Sequence, residues 1–227
     1  MTWDDSGFLL SKNRYSENSL IVEIYTKQHG KVPGVIFGGT SKKIRNYLQI
    51  GNKFSLNFIS KSDSKMGYFK VEIDQALSPF YFDNQNKLAC ITCAMSLIKL
   101  LNADYQKNID IFHLIENFYI ILKSKNWIKD YIFWELELFR KLGYDLNLLN
   151  LVDKMSVNEN FQYVTKSNTN KKIVPNFLVE KNDKNEDLPT LLKGLKLVSD
   201  YLEKTILRPN NLSQPTSRLE FINILRN

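Results

Sequence analysis

Cysteine is nearly missing from this chain: 227 residues include two, Cys90 and Cys93. That excludes a disulfide-stapled secreted scaffold and points to a reducing compartment, the cytoplasm. Long apolar runs are missing too. No stretch reaches the ~18 uninterrupted apolar residues of a membrane-spanning helix, so no membrane association is expected. The opening MTWDDSGFLL has two acids and no basic run, unlike a signal or transit peptide. There is no P-loop, no GxGxxG and no Gly-x-Ser-x-Gly. The two histidines, His29 and His113, have no neighbouring nucleophile in sequence, and Glu135 and Glu137 fall on different faces of a helix. No catalytic residue, cofactor or metal is therefore expected.

Acidic residues are missing from one long segment, Ile24 to Ser62, which holds Lys27, Lys31, Lys42, Lys43, Arg45, Lys53 and Lys61. A one-signed segment attracts a polyanion through its summed field, although a solvated basic surface has the same composition. The whole chain carries a net charge of +7 and a pI near 9.2. The excess sits in the first and last thirds, since Tyr81 to Met155 has equal numbers of acids and bases. Nucleic acid and anionic surfaces are the partners such a balance suits.

What is present begins with alternation. Gly7–Tyr15, Ser19–Thr26, Lys31–Phe37, Lys53–Ser60 and Gly67–Leu77 read as five strands. Phe54, Leu56 and Phe58 share one inward phase, and Phe69, Val71 and Ile73 another. Lys27-Gln-His-Gly30 is a tight turn with glycine placed for positive φ. Pro33 marks an edge or a bulge, because proline cannot donate to a central ladder. Ser41–Tyr47 fits a helical turn after Gly38-Gly39. Five short antiparallel strands match a small barrel of the OB type, with an SH3-like barrel as the other candidate.

After Pro79 the period changes to that of a helix. Asn84–Leu101, a segment through Ile111, Ile115, Phe118 and Leu122, and Trp127–Phe139 ending at Leu142-Gly143 are three predicted helices. Asp153 to Asn185 loses the pattern and reads as an inserted hairpin or mobile loop. A helix resumes at Leu188, with Pro189 in its first turn, and runs to about Leu207. A final one spans Ser217–Leu225, with Ser217 as N-cap and Glu220 completing a capping box. The expected fold is α+β: a five-stranded OB-fold barrel over residues 1–79, then an all-α helical domain over 80–227 with an insertion at about 153–185.

Candidate site residues follow from this frame. Lys12, Arg14, Lys27, Lys31, Lys42, Lys43 and Arg45 are placed to line one phosphate-tracking surface, with Gly38-Gly39 letting backbone N–H groups approach a phosphate. Phe37 and Tyr47 flank that turn and are candidates for base stacking. Cys90-Ile-Thr-Cys93 has a CxxC spacing, but no second pair completes a zinc site, and a helical Cys pair among apolar residues reads as core. His29 is expected to be an exposed turn residue with no Ser, Cys or carboxylate partner arranged for nucleophilic catalysis, and His113 packed or partly exposed.

Nearly end to end, the chain resembles the bacterial RecO family of recombination mediator and DNA repair proteins, in its alphaproteobacterial form. The resemblance is carried by MTWDDSGFLL with Arg14, Glu17 and Ser19, and by Glu23-Ile-Tyr-Thr-Lys-Gln-His-Gly-Lys. It continues through Gly34, Gly38-Gly39-Thr-Ser-Lys, Leu48-Gln-Ile-Gly51-Asn and Phe133-Trp-Glu-Leu-Glu-Leu-Phe-Arg-Lys-Leu-Gly143 to Phe161-Gln-Tyr-Val, Arg208-Pro209 and Ser217-Arg218. It implies an N-terminal OB-fold, a helical C-terminal domain and binding of single- and double-stranded DNA. It also implies annealing of complementary strands and association with RecR and with the acidic C-terminal tail of single-stranded DNA-binding protein. Through these partners it implies help in loading RecA, in the cytoplasm at the nucleoid. Arg14, Lys31 and Lys42 occupy matching basic positions and are implied DNA contacts. Three positions depart: Phe37 and Thr40 stand where relatives carry basic residues, Ser16 replaces a glycine, and the insertion lacks the cysteines that hold zinc in some relatives. The alternative reading is a non-catalytic OB-fold interaction scaffold that binds acidic protein partners.

Overall fold

β1 (Thr2–Arg14) is the strand on which the first part of the chain is built. The structure is a computed structural model and describes residues 1–61, 66–157, 160–166, 171–180 and 187–226. The first half of β1 pairs antiparallel with β4 (Lys53–Ile59), from Thr2 opposite Ile59 to Phe8 opposite Lys53. Its second half pairs antiparallel with β2 (Ser19–Thr26), from Gly7 opposite Thr26 to Arg14 opposite Leu20. A register shift between Leu9 and Ser11 marks a bulge, the usual device for bending one strand between two neighbours. Gly7 lies at the crossing. A Cβ there would stand 2.8 Å from the Tyr25 carbonyl oxygen, so the close approach of the strands requires glycine.

β3 (Gly30–Phe37) returns from β2 through the Lys27–Gly30 turn, where Gly30 has φ of +69°. β5 (Tyr68–Gln75) pairs antiparallel with β4 and meets β3 in parallel at Val35 and Tyr68. The order β1-β2-β3-β5-β4 closes into a barrel. Pro33 sits as its chemistry requires. On the side of β3 away from β2, the Lys31 carbonyl accepts from Tyr105 N and Val35 N donates to Gly67 O. The missing N–H of Pro33 falls between them, so no β2 ladder bond is lost.

Leu9, Val22, Ile24, Val32, Ile36, Leu48, Phe54, Leu56, Phe58 and Phe69 fill the barrel. Each fully buried side chain of this kind stabilises by about 1.5–3 kcal/mol. The inward phase expected for β4 is therefore observed, but that of β5 fails at its end. Ile73 is 39% exposed. β5 touches β3 only near Tyr68, so beyond Val71 the strand is a ribbon on β4 with no wall facing it.

α1 (Lys42–Tyr47) joins β3 to β4. α2 (Gln85–Leu101) starts at Asn84, whose side chain accepts from Lys87 N, and buries Cys90, Ile91, Cys93, Ala94, Met95, Leu97 and Ile98. α3 (Ile109–Ile121) follows. Backbone packing divides the chain into one unit of Met1–Tyr119 with Pro215–Leu225, and a second of Ile120–Gln214. Within the first, α2 packs on β1, and the buried Tyr119 hydroxyl donates to the Gly51 carbonyl at 2.6 Å.

The second unit contains α4 (Trp127–Lys141), α5 (Leu148–Leu151), α6 (Asn176–Val179) and α7 (Leu188–Tyr201). Gly143, at φ of +90°, ends α4 as expected. The patternless stretch carries a hairpin of β6 (Val152–Val157) and β7 (Asn160–Thr165), with β8 (Ile173–Val174) added to β7. Residues 158, 159, 167–170 and 181–185 of that stretch lie outside the described residues. α7 begins at the Asp187 cap with Pro189 in its first turn. Beyond Tyr201 it continues to Leu207 as a π-helical turn rather than as regular helix.

α8 (Thr216–Arg226) corrects the expected capping box. Pro215 O accepts from Arg218 N, so the helix starts before Ser217. The Ser217 hydroxyl is buried inside the first turn without a hydrogen-bond partner, and Glu220 is exposed.

Candidate nucleic-acid interface

α1 is short but sharply two-faced. The Ser41 Oγ accepts from Ile44 N at 3.4 Å and starts the turn. Ile44 and Tyr47 pack on the barrel core and Leu48 is fully buried. Lys42, Lys43 and Arg45 are thereby left on the outer face, all exposed. A core-facing stripe of three apolar residues fixes which way the cations point.

Beneath this helix lies Lys12. Its ammonium donates to the Leu48 carbonyl at 2.5 Å and to Gln49 Oε1 at 3.3 Å. Burial, and then the nearby Arg45 guanidinium, lower the Lys12 pKa. Arg14 is at the same end of the barrel. It faces Leu20, whose side chain lies against Gly39, and Thr40 Oγ1 donates to Glu17 O at 3.1 Å, tying the β1–β2 turn to the segment before α1. Among the described residues, no carboxylate forms an ion pair with Arg14, Lys42, Lys43 or Arg45.

The seven basic residues do not share one surface. Lys27 and Lys31 sit at the far end of the β2–β3 hairpin, roughly 23 Å from Ser19 at ~3.3 Å per residue. Lys27 is exposed there. Lys31 is buried, donates to the Lys99 carbonyl at 2.8 Å and pairs with Asp104 at 3.1 Å. The structure thus brings together Lys12, Arg14, Lys42, Lys43 and Arg45, with Lys12 underneath. It sets Lys27 apart and commits Lys31 to internal contacts. Lys53 is engaged in the same way, 3.0 Å from Glu116 and above the rings of Phe8 and Phe112.

Of the two stacking candidates, Tyr47 is turned to the core, its ring 6.2 Å from that of Phe54. Phe37 is 61% exposed, and its ring pairs with Tyr68 at 5.5 Å. Tyr68 is a residue that the sequence reading missed. The available signal was its phase: it precedes the inward Phe69 and so points outward.

His29 is half-buried rather than exposed. Its Nδ1 lies 3.1 Å from Asp5 Oδ2, which also accepts from Gln28 N at 2.8 Å, and its ring stacks on Trp3 at 3.9 Å. The carboxylate partner comes from the start of β1, 24 residues away. The contact fastens the Lys27–Gly30 turn to β1. His113 is exposed and paired with Glu116 at 2.9 Å. Cys90 and Cys93 are buried without a disulfide. Among the described residues no cluster of three His, Cys, Asp or Glu suits a metal ion, and no helix is long and apolar enough to cross a membrane.

A closed five-stranded barrel bearing at one end a cationic helix that no carboxylate pairs among the described residues defines a class: small-barrel proteins with a basic face. Residues 1–75 match the family model described as Recombination protein O N terminal. The chain is 27% identical over 209 residues to the DNA repair protein RecO of Ruegeria sp. (strain TM1040), covering 92% of this chain and 86% of that one. It is 26% identical over 240 residues to the DNA repair protein RecO of Bartonella bacilliformis, covering 99% and 96%. With that of Cereibacter sphaeroides (strain ATCC 17029 / ATH 2.4.9) it shares 30% identity over 148 residues, 65% and 62% of the two chains. The chain is thus similar to RecO proteins over nearly its whole length, and its first 75 residues match their N-terminal model.

Proposed function

We propose that this protein is a non-enzymatic DNA repair and recombination mediator that binds single- and double-stranded DNA and anneals complementary strands. The observation that carries this reading is the exposed face of Lys42, Lys43 and Arg45, which no carboxylate pairs among the described residues, with Arg14 at the same end of the barrel. Cations held this way exchange condensed counterions for phosphates, so two strands approach each other and their bases do the recognising. The proposed contacts are Arg14, Lys42, Lys43 and Arg45, supported from beneath by Lys12, with Lys27 as a separate outer contact. Lys31 has its ammonium engaged internally and acts here as a support. Phe37 and Tyr68 offer a ring surface on which a base stacks.

The barrel is read as an OB-fold. Its order β1-β2-β3-β5-β4, with α1 between β3 and β4, supports this. The DNA-binding part is assigned to residues 1–79 and the helical part to 80–227. Similarity to RecO proteins supports action with RecR and with the acidic tail of single-stranded DNA-binding protein in loading RecA, in the cytoplasm at the nucleoid.

The test is a strand-annealing assay at low salt, alone and with single-stranded DNA-binding protein, intact or lacking its tail. Faster annealing that persists with the intact coat protein and weakens without its tail is expected. Binding of acidic peptides with no annealing at all would sink the mediator reading in favour of an interaction scaffold.

A further inference from the structure

A groove in the second unit takes no part in the site above. It runs between α7, with its π-helical continuation, and the β7–β8 sheet, and has a volume of about 930 Å³. Lys193, Lys196 and Lys204 line it from the helix and Lys172 from the sheet, all four exposed. Asp200 is the one acid in its lining. Positions 193, 196, 200 and 204 recur at helical spacing, so Lys193, Lys196 and Lys204 form a row along one face, with Asp200 between the last two. At ~1.5 Å per residue that row extends roughly 16 Å.

Two further features narrow the occupant. Phe161 is 58% exposed, with the Lys154 ammonium 4.3 Å from its ring centre, and Tyr201 is half-buried in the opposite wall. Between them stand neutral groups able both to donate and to accept: Gln162, Thr190 and Thr205. A peptide anchored by apolar side chains needs a recessed apolar pocket. Here Val174 and Pro175 are already buried by the unit itself, and Ile173, 61% exposed, stands out from the sheet rather than in a recess. A row of cations, exposed aromatic surface and two-way hydrogen-bonding groups is instead the equipment for holding a single strand.

We propose that this groove binds single-stranded nucleic acid and gives the protein a second strand site, carried by a different unit from α1. The assignment rests on the DNA-binding reading above. A protein with two strand sites holds both partners of an annealing reaction on one chain, which raises their effective concentration.

The experiment uses the full chain and a fluorescent oligothymidylate carrying photo-crosslinking bases. Crosslinks to Phe161 or Tyr201 are expected. Lys193→Ala/Lys196→Ala/Lys204→Ala should lower the salt slope by about 2 and weaken low-salt binding about tenfold, with the all-Arg triple restoring both. Thermal melting checks that the exposed substitutions leave the fold intact. If the wild-type chain binds but its crosslinks stay within residues 1–61 and the Ala triple is unchanged, the groove assignment alone falls. If the wild-type chain fails to bind the oligonucleotide at low salt, the DNA reading falls with it. Should an acidic peptide occupy the groove while no oligonucleotide crosslinks there, the groove is a peptide site and the proposal is overturned.

Discussion

The Lys12 ammonium donates to the Leu48 carbonyl at 2.5 Å, and so ties the bulged half of β1 to the end of α1. This contact adds a polar tie to the apolar seat that Ile44, Tyr47 and Leu48 give the cationic helix. Lys12→Met keeps the stem and removes the donor, leaving a buried carbonyl short of a partner. A loss of about 1–2 kcal/mol in denaturant unfolding is expected, with a modest loss of DNA affinity. An unchanged unfolding midpoint would show that α1 is held by Ile44 and Tyr47 alone.

Lys42→Ala/Lys43→Ala/Arg45→Ala should act differently. These side chains are exposed, so unfolding should move by no more than ~0.5 kcal/mol. The slope of log affinity against log salt on single strands should fall by about 2 if all three contact phosphates. Lys31→Met is the contrast. Its buried ammonium serves Lys99 O and Asp104, so the expected result is lower stability with an unaltered salt slope. A slope change for Lys31→Met equal to that of one α1 residue would return Lys31 to the DNA contacts.

Phe37 is the more open of the two stacking candidates beside α1. Phe37→Ala should cost about 1–3 kcal/mol of single-strand affinity, with little effect on the salt slope, since stacking releases no counterions. Phe37→Trp should retain or improve binding. Equal affinity for all three forms would assign Phe37 to packing against Tyr68.

Glu116 offers a pH dependence. Burial raises its pKa, but hydrogen bonds from His113 and Lys53 and their charges outweigh burial and bring it below the usual carboxylate range. The folded state therefore holds this proton less tightly than the unfolded chain. The associated stability is present above the unfolded carboxylate pKa and is lost as pH falls through the lower folded value. Glu116→Gln should flatten that part of the acid limb in melts between neutral and strongly acidic pH. A limb identical to that of the wild-type chain would show that the Lys53–Glu116 pair contributes nothing to folding.

Much of this fold was legible because strands and helices write their periods into the sequence. Phe54, Leu56 and Phe58 announce an inward face, and Pro33 announces a position that donates nothing to the β2–β3 ladder. The Ser41–Tyr47 turn shows its two faces once Ile44, Tyr47 and Leu48 are seen to alternate with cations. Legibility fails where a residue's neighbour comes from elsewhere in the chain. Ile73 keeps the right phase but has no opposite wall. His29 finds Asp5 only because the β2–β3 turn folds over the start of β1. Ser217 has the chemistry of a cap, yet Pro215 starts the helix a step earlier.

The acid-free segment shows the same division. Sequence alone determined that Ile24 to Ser62 carries cations without acids, and that barrel strands surround it. Only the tertiary structure decided which cations remain available. Asp104 and Glu116 reach Lys31 and Lys53 from beyond the segment, while nothing comparable reaches Lys42, Lys43 and Arg45 among the described residues. Charge composition is a local property of the chain, whereas the field at a surface is the sum over everything the fold brings near it.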